Sequence, residues 1–287
     1  MHTAAMQLNG WSQQGRLRAA NGDAWAAYEP PEPQRLARQG SLLAIAEGYG
    51  ADGQELSWLG TQVLQALGRR YYAGQGDRAA ELLAGTQEAN RLVLGYRRQP
   101  GWGGIFAGLV AAVATPAEAL LAQVGDGQAF LLRKRMVSPL FPWPRQVSAL
   151  EPWRRTGRRV LDSALGGQMS VPVRISRFGL RPGDQLLLCS GGFIAGLPAW
   201  PGWAALPDPA DMVRAADDGN GHFNRTVVMM RVPATAASPP YPRRSAPQTA
   251  LPLPPESTVD WQAVSDVLGP VALAIALAAL GLAVMSR

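Results

Sequence analysis

Ala119-Leu120-Leu121-Ala122-Gln123-Val124-Gly125-Asp126-Gly127-Gln128-Ala129-Phe130-Leu131-Leu132-Arg133 contains two short apolar runs separated by a Gly-Asp-Gly-Gln turn. Glycine and aspartate reach the backbone conformations that a tight turn needs, so the stretch predicts a β-hairpin with strands at 119–124 and 129–133. Further strand-like runs lie at 41–47, 104–113, 171–176, 185–190 and 225–232. Between the first of these and the hairpin, Leu56, Leu59, Val63, Leu64 and Leu67 recur at helical spacing within 54–72, and 79–96 shows a second helical pattern. Paired helices among hairpin-linked strands predict an α+β domain, with antiparallel sheets covered by helices rather than alternating βαβ units. No internal repeat is evident.

The bulk numbers agree with a packed domain. The chain has 287 residues, 47% of them apolar, whereas a disordered chain would be poorer in apolar residues and richer in charge. The net charge of +6 comes from arginine, because Lys134 is the sole lysine. The basic residues are spread, with pairs at Arg69-Arg70, Arg97-Arg98, Arg154-Arg155, Arg158-Arg159 and Arg243-Arg244. A nucleic-acid reader gathers such residues into one stripe with aromatics between them, so no nucleic-acid partner is expected. Solvated faces with some attraction to anionic headgroups fit the pattern better. The single cysteine, Cys189, excludes an intrachain disulfide framework and sits in an apolar run as a small core residue. Residues 1–14 show no basic segment followed by an apolar one, so the folded part is expected in the cytoplasm.

The C-terminal end changes character. Residues 233–260 are proline-rich and read as a semi-rigid linker, with a docking motif at Pro252-Leu253-Pro254-Pro255 as the sharper alternative. Residues 267–285 carry no charge, and at ~1.5 Å per residue such a run covers the ~30 Å hydrocarbon core of a bilayer. Trp261 stands where an interfacial anchor would, and Pro270 falls in the first turn, where proline is tolerated. A single transmembrane helix at 264–286 is therefore expected, anchoring a soluble domain at 8–232 to the membrane.

Gly48-Tyr49-Gly50-Ala51-Asp52-Gly53 is a literal G-x-G-x-x-G between a strand and a helix, the context of a dinucleotide fingerprint. That fingerprint also needs a parallel strand ending in an acidic residue about 20 residues on. Here that distance falls on Gly68-Arg69-Arg70-Tyr71-Tyr72. A nucleotide-binding enzyme built on residues Gly48 to Gly53 thus lacks its partner carboxylate.

A second constellation covers more of the chain. Arg18-Ala19-Ala20-Asn21-Gly22-Asp23 resembles the first motif of the type 2C protein phosphatases, and Ala44-Ile45-Ala46-Glu47-Gly48-Tyr49-Gly50 resembles their Ala-Asp-Gly-Met-Gly. Val124-Gly125-Asp126-Gly127-Gln128-Ala129-Phe130 is similar to their Val-Gly-Asp-Ser-Arg-Ala-Tyr, and Leu161-Asp162-Ser163-Ala164-Leu165-Gly166 to their Thr-x-Ala-Leu-Gly. Pro182-Gly183-Asp184-Gln185-Leu186-Leu187-Leu188-Cys189-Ser190-Gly191-Gly192 resembles Pro-Gly-Asp-x-Leu-Leu-Leu-Cys-Ser-Asp-Gly, and Phe223-Asn224-Arg225-Thr226-Val227-Val228 falls where the family has Asp-Asn-Ile-Thr-Val-Val. The resemblance implies an antiparallel β-sandwich flanked by helix pairs. It also implies hydrolysis of phosphoserine and phosphothreonine by two Mn²⁺ or Mg²⁺ ions that activate a water.

Residue by residue, the implied metal set is incomplete. Asp23 matches the first carboxylate, and Glu47, followed by Gly48, replaces the bridging aspartate with a side chain longer by one methylene. Asp126 matches an accessory metal position, although an aspartate at a turn is often there for turn geometry. Gly191 and Phe223 occupy positions where the family has aspartate. Hard divalent cations need several carboxylate oxygens held close together. A weakened Mn or Mg site and no metal at all therefore stand as equal expectations. Arg18 is the candidate phosphate contact, with Arg16 as a near alternative. Asp52, Asp217, Asp218 and His222 are the nearby residues that could supply replacement ligands.

Two loops, Pro139-Leu140-Phe141-Pro142-Trp143-Pro144 and Pro198-Ala199-Trp200-Pro201-Gly202-Trp203, frame tryptophans with prolines and suit either a binding surface or loop packing. Three functions follow. The first is a membrane-anchored pseudophosphatase that binds a phosphoprotein or a Ser/Thr kinase partner without turnover. The second is an active metal-dependent phosphatase with altered ligation, and the third is the nucleotide-binding enzyme.

Overall fold

The computed structural model describes residues 6–51, 53–134, 136–141, 163–197, 208–216 and 221–234. These belong to one compact unit, Met1–Leu251. The anchor expected at 264–286, the linker beyond Ala234, most of the tryptophan-bearing loops and residues Asp52, Asp217 and Asp218 lie outside the described residues. No helix among the described residues is long and apolar enough to cross a membrane.

In chain order the elements are β1 (Gln7–Gln13), β2 (Asp23–Tyr28), α1 (Pro33–Gln39), β3 (Ser41–Tyr49), α2 (Ser57–Ala73), α3 (Arg78–Arg97), β4 (Phe106–Ala114), β5 (Glu118–Val124), β6 (Gln128–Arg133), β7 (Met136–Pro139), β8 (Arg174–Gly179), β9 (Gln185–Cys189), α4 (Gly191–Ala195), α5 (Pro209–Ala215) and β10 (Arg225–Arg231). The described strands form two five-stranded sheets, ordered β1-β10-β9-β6-β7 and β2-β3-β4-β5-β8. Every pairing within them is antiparallel. The sequence-based expectation of an antiparallel α+β sandwich with flanking helices therefore agrees with the architecture.

Burial explains the layering. Leu43, Ile45, Val110, Ala112 and Leu121 of one sheet pack against Ala129, Leu186, Leu188, Val228 and Met230 of the other. The outer face of the first sheet is covered by α2 and α3, whose apolar stripe includes Leu59, Val63, Leu67, Leu82 and Val93. On the outer face of the second sheet, Phe130, Leu187, Cys189 and Val227 meet Phe193 of α4 and Met212 and Val213 of α5. Strands β3, β4 and β5 are covered on both sides and read as continuous apolar runs for that reason. Cys189 is fully buried, and that burial pushes its thiol well above the usual range, in keeping with a core residue.

The hairpin expected at 119–133 is absent. β5 pairs with β4 and β8, whereas β6 pairs with β7 and β9 in the opposite sheet. The Gly125-Asp126-Gly127 turn carries the chain across the sandwich rim instead. Gly125 takes a positive φ of 98°, and a Cβ at Gly127 would stand 2.9 Å from Val110 Cγ1 of β4. The same turn chemistry serves a hairpin or a sheet switch, and only the distant partners of β5 and β6 decide between them.

Other boundaries moved less. Helix α2 begins at Ser57 because Glu55 is taken by a bridge to Tyr49, and α3 begins after Asp77, whose carboxylate caps the Ala79 and Ala80 amides. Strand β8 starts at Arg174 rather than 171. The preceding loop is held to α3 by Asn90, which donates to the Gln168 and Met169 carbonyls and accepts from Gly166 N at 2.8 Å. Strands β1, β2 and β7 and helices α1, α4 and α5 carry too few apolar repeats to register as periodic patterns.

One ion-pair cluster ties α3 to the sheet edge. Glu118 of β5 accepts from Arg177 of β8 at 2.9 and 3.0 Å and from Arg78 of α3. The Arg177 hydrogen bond, opposed by burial and reinforced by the charges of Arg177 and Arg78, lowers the Glu118 pKa. A carboxyl whose folded pKa is depressed contributes stability above its unfolded pKa and loses it as pH falls through the folded value. The stability difference between the wild type and Glu118→Gln, read from urea denaturation at pH 7, should therefore shrink as pH drops below the ordinary glutamate pKa of ~4.3. A difference that stays constant down to the acid transition would contradict this.

Candidate functional site

The site lies where β2 and β3 open toward the second sheet. Asp23 and Glu47 are direct cross-strand partners in the β2–β3 ladder, which puts their side chains on the same face. Asp23 Oδ2 accepts a 2.7 Å hydrogen bond from Thr226 Oγ1 of β10, in the opposite sheet. Because that bond uses the threonine's proton, Ser12 must be the donor in its 2.7 Å contact with Thr226 Oγ1. Asn21 then donates to Ser12 Oγ at 2.9 Å and accepts from the Asp23 amide at 3.1 Å. The first carboxylate is thus the terminus of an ordered polar chain between the sheets.

Glu47 is 3% exposed. Its Oε2 accepts from Tyr49 Oη at 2.7 Å, and its Oε1 accepts from the Gly191 amide at 2.9 Å. The extra methylene relative to aspartate gives the carboxylate reach from one sheet to the loop that follows β9 in the other. Ser190 holds that loop, accepting from the Phe193 and Thr226 amides and donating its own amide to the Thr226 carbonyl. Gly48 donates to the Gly22 carbonyl, and its own carbonyl accepts from Leu56 N, both at 2.9 Å.

Gly191 and Asp126 meet. A Cβ built on Gly191 would lie 2.3 Å from Asp126 Oδ2, so the accessory carboxylate fills the volume that a side chain at 191 would need. Phe223 is 5% exposed and lies under Arg18, whose guanidinium carbon is 5.9 Å from the ring centroid. Arg18 also donates through Nε to the His222 carbonyl and pairs through Nη1 with Glu55 Oε1 at 3.4 Å. The segment holding Arg18 is fastened by Gly15 N to Asn224 Oδ1 at 3.0 Å and by Leu17 N to the Gly221 carbonyl at 2.9 Å. Arg16 packs beside Gly221.

The fold therefore brings together Arg18, Asp23, Glu47, Gly48, Asp126, Gly191 and Phe223, residues spread over most of the domain sequence. Of the side chains considered as replacement ligands, His222 contributes its backbone carbonyl to Arg18. Among the described residues, no group of three or more His, Cys, Asp or Glu side chains is placed to hold a metal ion. Tyr49, Glu55, Ser190, Asn224 and Thr226 belong to the site and were not singled out by sequence. Four of them, Tyr49, Ser190, Asn224 and Thr226, lay inside the recognised motifs, and Glu55 lay outside them.

The glycine loop does not have the geometry of a dinucleotide fingerprint. Gly50 N donates to the Gln54 carbonyl at 2.7 Å and Gly53 N to the Gly50 carbonyl at 3.1 Å, so both amides are used within the turn. Both ladder neighbours of β3 run antiparallel to it, whereas the fingerprint opens a parallel βαβ unit.

The close approach at 191 can be tested directly. Gly191→Ala should destabilise the chain by about 1–3 kcal/mol, the usual cost of overpacking. The loss should be smaller when the same change is made in an Asp126→Ala background. Equal losses in both backgrounds, measured by urea denaturation, would show that Asp126 does not fill the site.

No family model and no curated protein matches the sequence. Solved structures do match. The serine/threonine phosphatase PstP/Ppp of Mycobacterium tuberculosis is 23% identical with a TM-score of 0.62, covering 79% of this chain and 99% of its own. The PstP catalytic domain has also been solved in complex with two manganese ions, with a TM-score of 0.63 at 23% identity, covering 79% of this chain and 97% of its own. PppA of Pseudomonas aeruginosa, described as a regulatory component of a type VI secretion system, is 21% identical with a TM-score of 0.63, covering 80% of this chain and 98% of its own. Agreement over nearly the full length of these domains gives this chain the type 2C phosphatase-like fold.

Proposed function

We propose that the domain is a non-catalytic relative of the type 2C phosphatases, a binding or regulatory module in Ser/Thr phosphorylation signalling. The observation that carries this reading is the state of the Glu47 carboxylate, whose two oxygens accept from Tyr49 and the Gly191 amide. Asp23 accepts from Thr226 through Oδ2. Two dications held side by side need several carboxylate ligands, and Gly191 and Phe223 supply none. The side chains present fit a hydrogen-bonded rim better than a two-metal cluster. The PstP complex with two manganese ions shows what a related domain holds. The proposed partner is a phosphoprotein or a Ser/Thr kinase.

A second reading, an active Mn²⁺- or Mg²⁺-dependent Ser/Thr phosphatase, is favoured by one observation: Asp126 lies against Gly191, whose amide bonds Glu47, so the β5–β6 turn and β3 still bring two acidic groups to one place. The two readings separate when Mn²⁺ is titrated into the full chain in detergent by calorimetry, with p-nitrophenyl phosphate turnover followed alongside. Absence of both metal binding at millimolar Mn²⁺ and turnover is the expected result. Micromolar binding of two ions, with turnover abolished by Asp23→Asn, would replace the first reading by the second.

The same proposal places the domain at a membrane surface through a helix at 264–286 and a proline-rich linker at 233–260, with the folded part on the cytoplasmic side. The uncharged run 267–285 supports it. Deleting 264–286 should move the protein from the alkaline-carbonate-resistant membrane pellet to the supernatant. Full-length protein already in the supernatant would sink the anchor.

A further inference from the structure

Arg18 meets an acidic residue that no motif marks. Glu55 owes its place to the turn at Gly48 to Gly53. The Gly50 N to Gln54 carbonyl bond at 2.7 Å and the bridge between Tyr49 and Glu55 fold the chain back along the end of β3. This sets the Glu55 side chain, 8% exposed, under the rim with Oε1 3.4 Å from Arg18 Nη1. Its other oxygen rests on Gly22, where a built Cβ would lie only 2.1 Å from Oε2. Glycine at 22 is what leaves room for the carboxylate. The guanidinium is thus held by an anion on one side, by the His222 carbonyl at Nε, and by the face of Phe223.

A guanidinium fork takes carboxylate and phosphoryl oxygens through the same geometry. An internal carboxylate at this fork therefore competes with any phosphoryl group that approaches it. We propose that Glu55 is a built-in anion occupying the oxyanion position at Arg18, so that a phosphate monoester enters only by displacing it. This deepens the function proposed above and rests on its view of the rim as a binding site. The apparent affinity for phosphate is then the intrinsic affinity scaled by the fraction of molecules in which Glu55 has swung away. Free phosphate is held off, while a phosphorylated partner that makes further contacts elsewhere can supply the difference.

Inorganic phosphate titrated calorimetrically into the full chain in detergent, with EDTA present, provides the test. The proteins compared are the wild type, Glu55→Gln, Glu55→Ala and Arg18→Ala/Glu55→Ala. Glutamine removes the charge at constant shape, and alanine also vacates the volume against Gly22. Both single variants should bind phosphate at least about tenfold more tightly than wild type, as expected if Arg18 is free in a tenth or less of wild-type molecules. The double variant should lose the gain. Single variants that bind no more tightly than wild type, or a gain that survives the loss of Arg18, would overturn the proposal. If circular dichroism shows that the alanine variant has not folded, the isosteric Glu55→Gln variant decides alone. Failure here is distinct from failure of the non-catalytic reading, because this binding is read without metal and that reading is judged by Mn²⁺-dependent turnover in the wild type.

Discussion

Strand β3 is buried along its whole length, Ser41–Tyr49, because one of its faces meets the second sheet and the other meets α2. That constraint governs the rest of the molecule. The other eight residues of the strand can meet it with small, apolar or hydroxyl-bearing side chains, but Glu47 cannot. A carboxyl group held at 3% exposure has to find its hydrogen-bond partners within the protein. Tyr49 and the Gly191 amide meet it, and the second of these binds the two sheets at the rim. Asp23, its cross-strand neighbour, makes the corresponding tie to Thr226 of β10. The acidic residues thus act as fasteners between the sheets, and the order of the surrounding loops follows from satisfying them.

A few local contacts shape the same rim. Phe223 presents an aromatic face to Arg18, a cation–π contact at the rim. Gly191 lacks a side chain, and Asp126 fills the space. Glu55 brings a charge of the opposite sign to Arg18. A partly buried pair of this kind is no guarantee of stability, since desolvation offsets much of the attraction. Removing one partner alone leaves the other charge exposed to that cost. The pair is better understood as fixing where the guanidinium points.

Two turns show how far local pattern extends. Gly125-Asp126-Gly127 has the residues of a hairpin, yet it crosses between sheets because β5 and β6 each find their partners elsewhere. The glycines at 48, 50 and 53 match a phosphate-binding loop by spacing, yet two of the three amides close the turn on itself and the strand before them has antiparallel neighbours. In both cases the residues report a turn correctly. What the turn connects depends on contacts far away in sequence.

Sequence alone determined the antiparallel α+β class, the two long helices within a few residues and the short strand at 185–190, because apolar periodicity is a local consequence of which side chains must be buried. Motif order also put forward seven residues that the fold brings near one another: Arg18, Asp23, Glu47, Gly48, Asp126, Gly191 and Phe223. It could not say what those side chains do. That Glu47 bonds an amide 144 positions away, that Asp126 occupies the space above Gly191 and that Glu55 reaches Arg18 across Gly22 were decided by the tertiary structure. The physical reason is that a polar side chain's role is set by whichever donors and charges packing places within about 3 Å of it, and packing is a property of the whole fold.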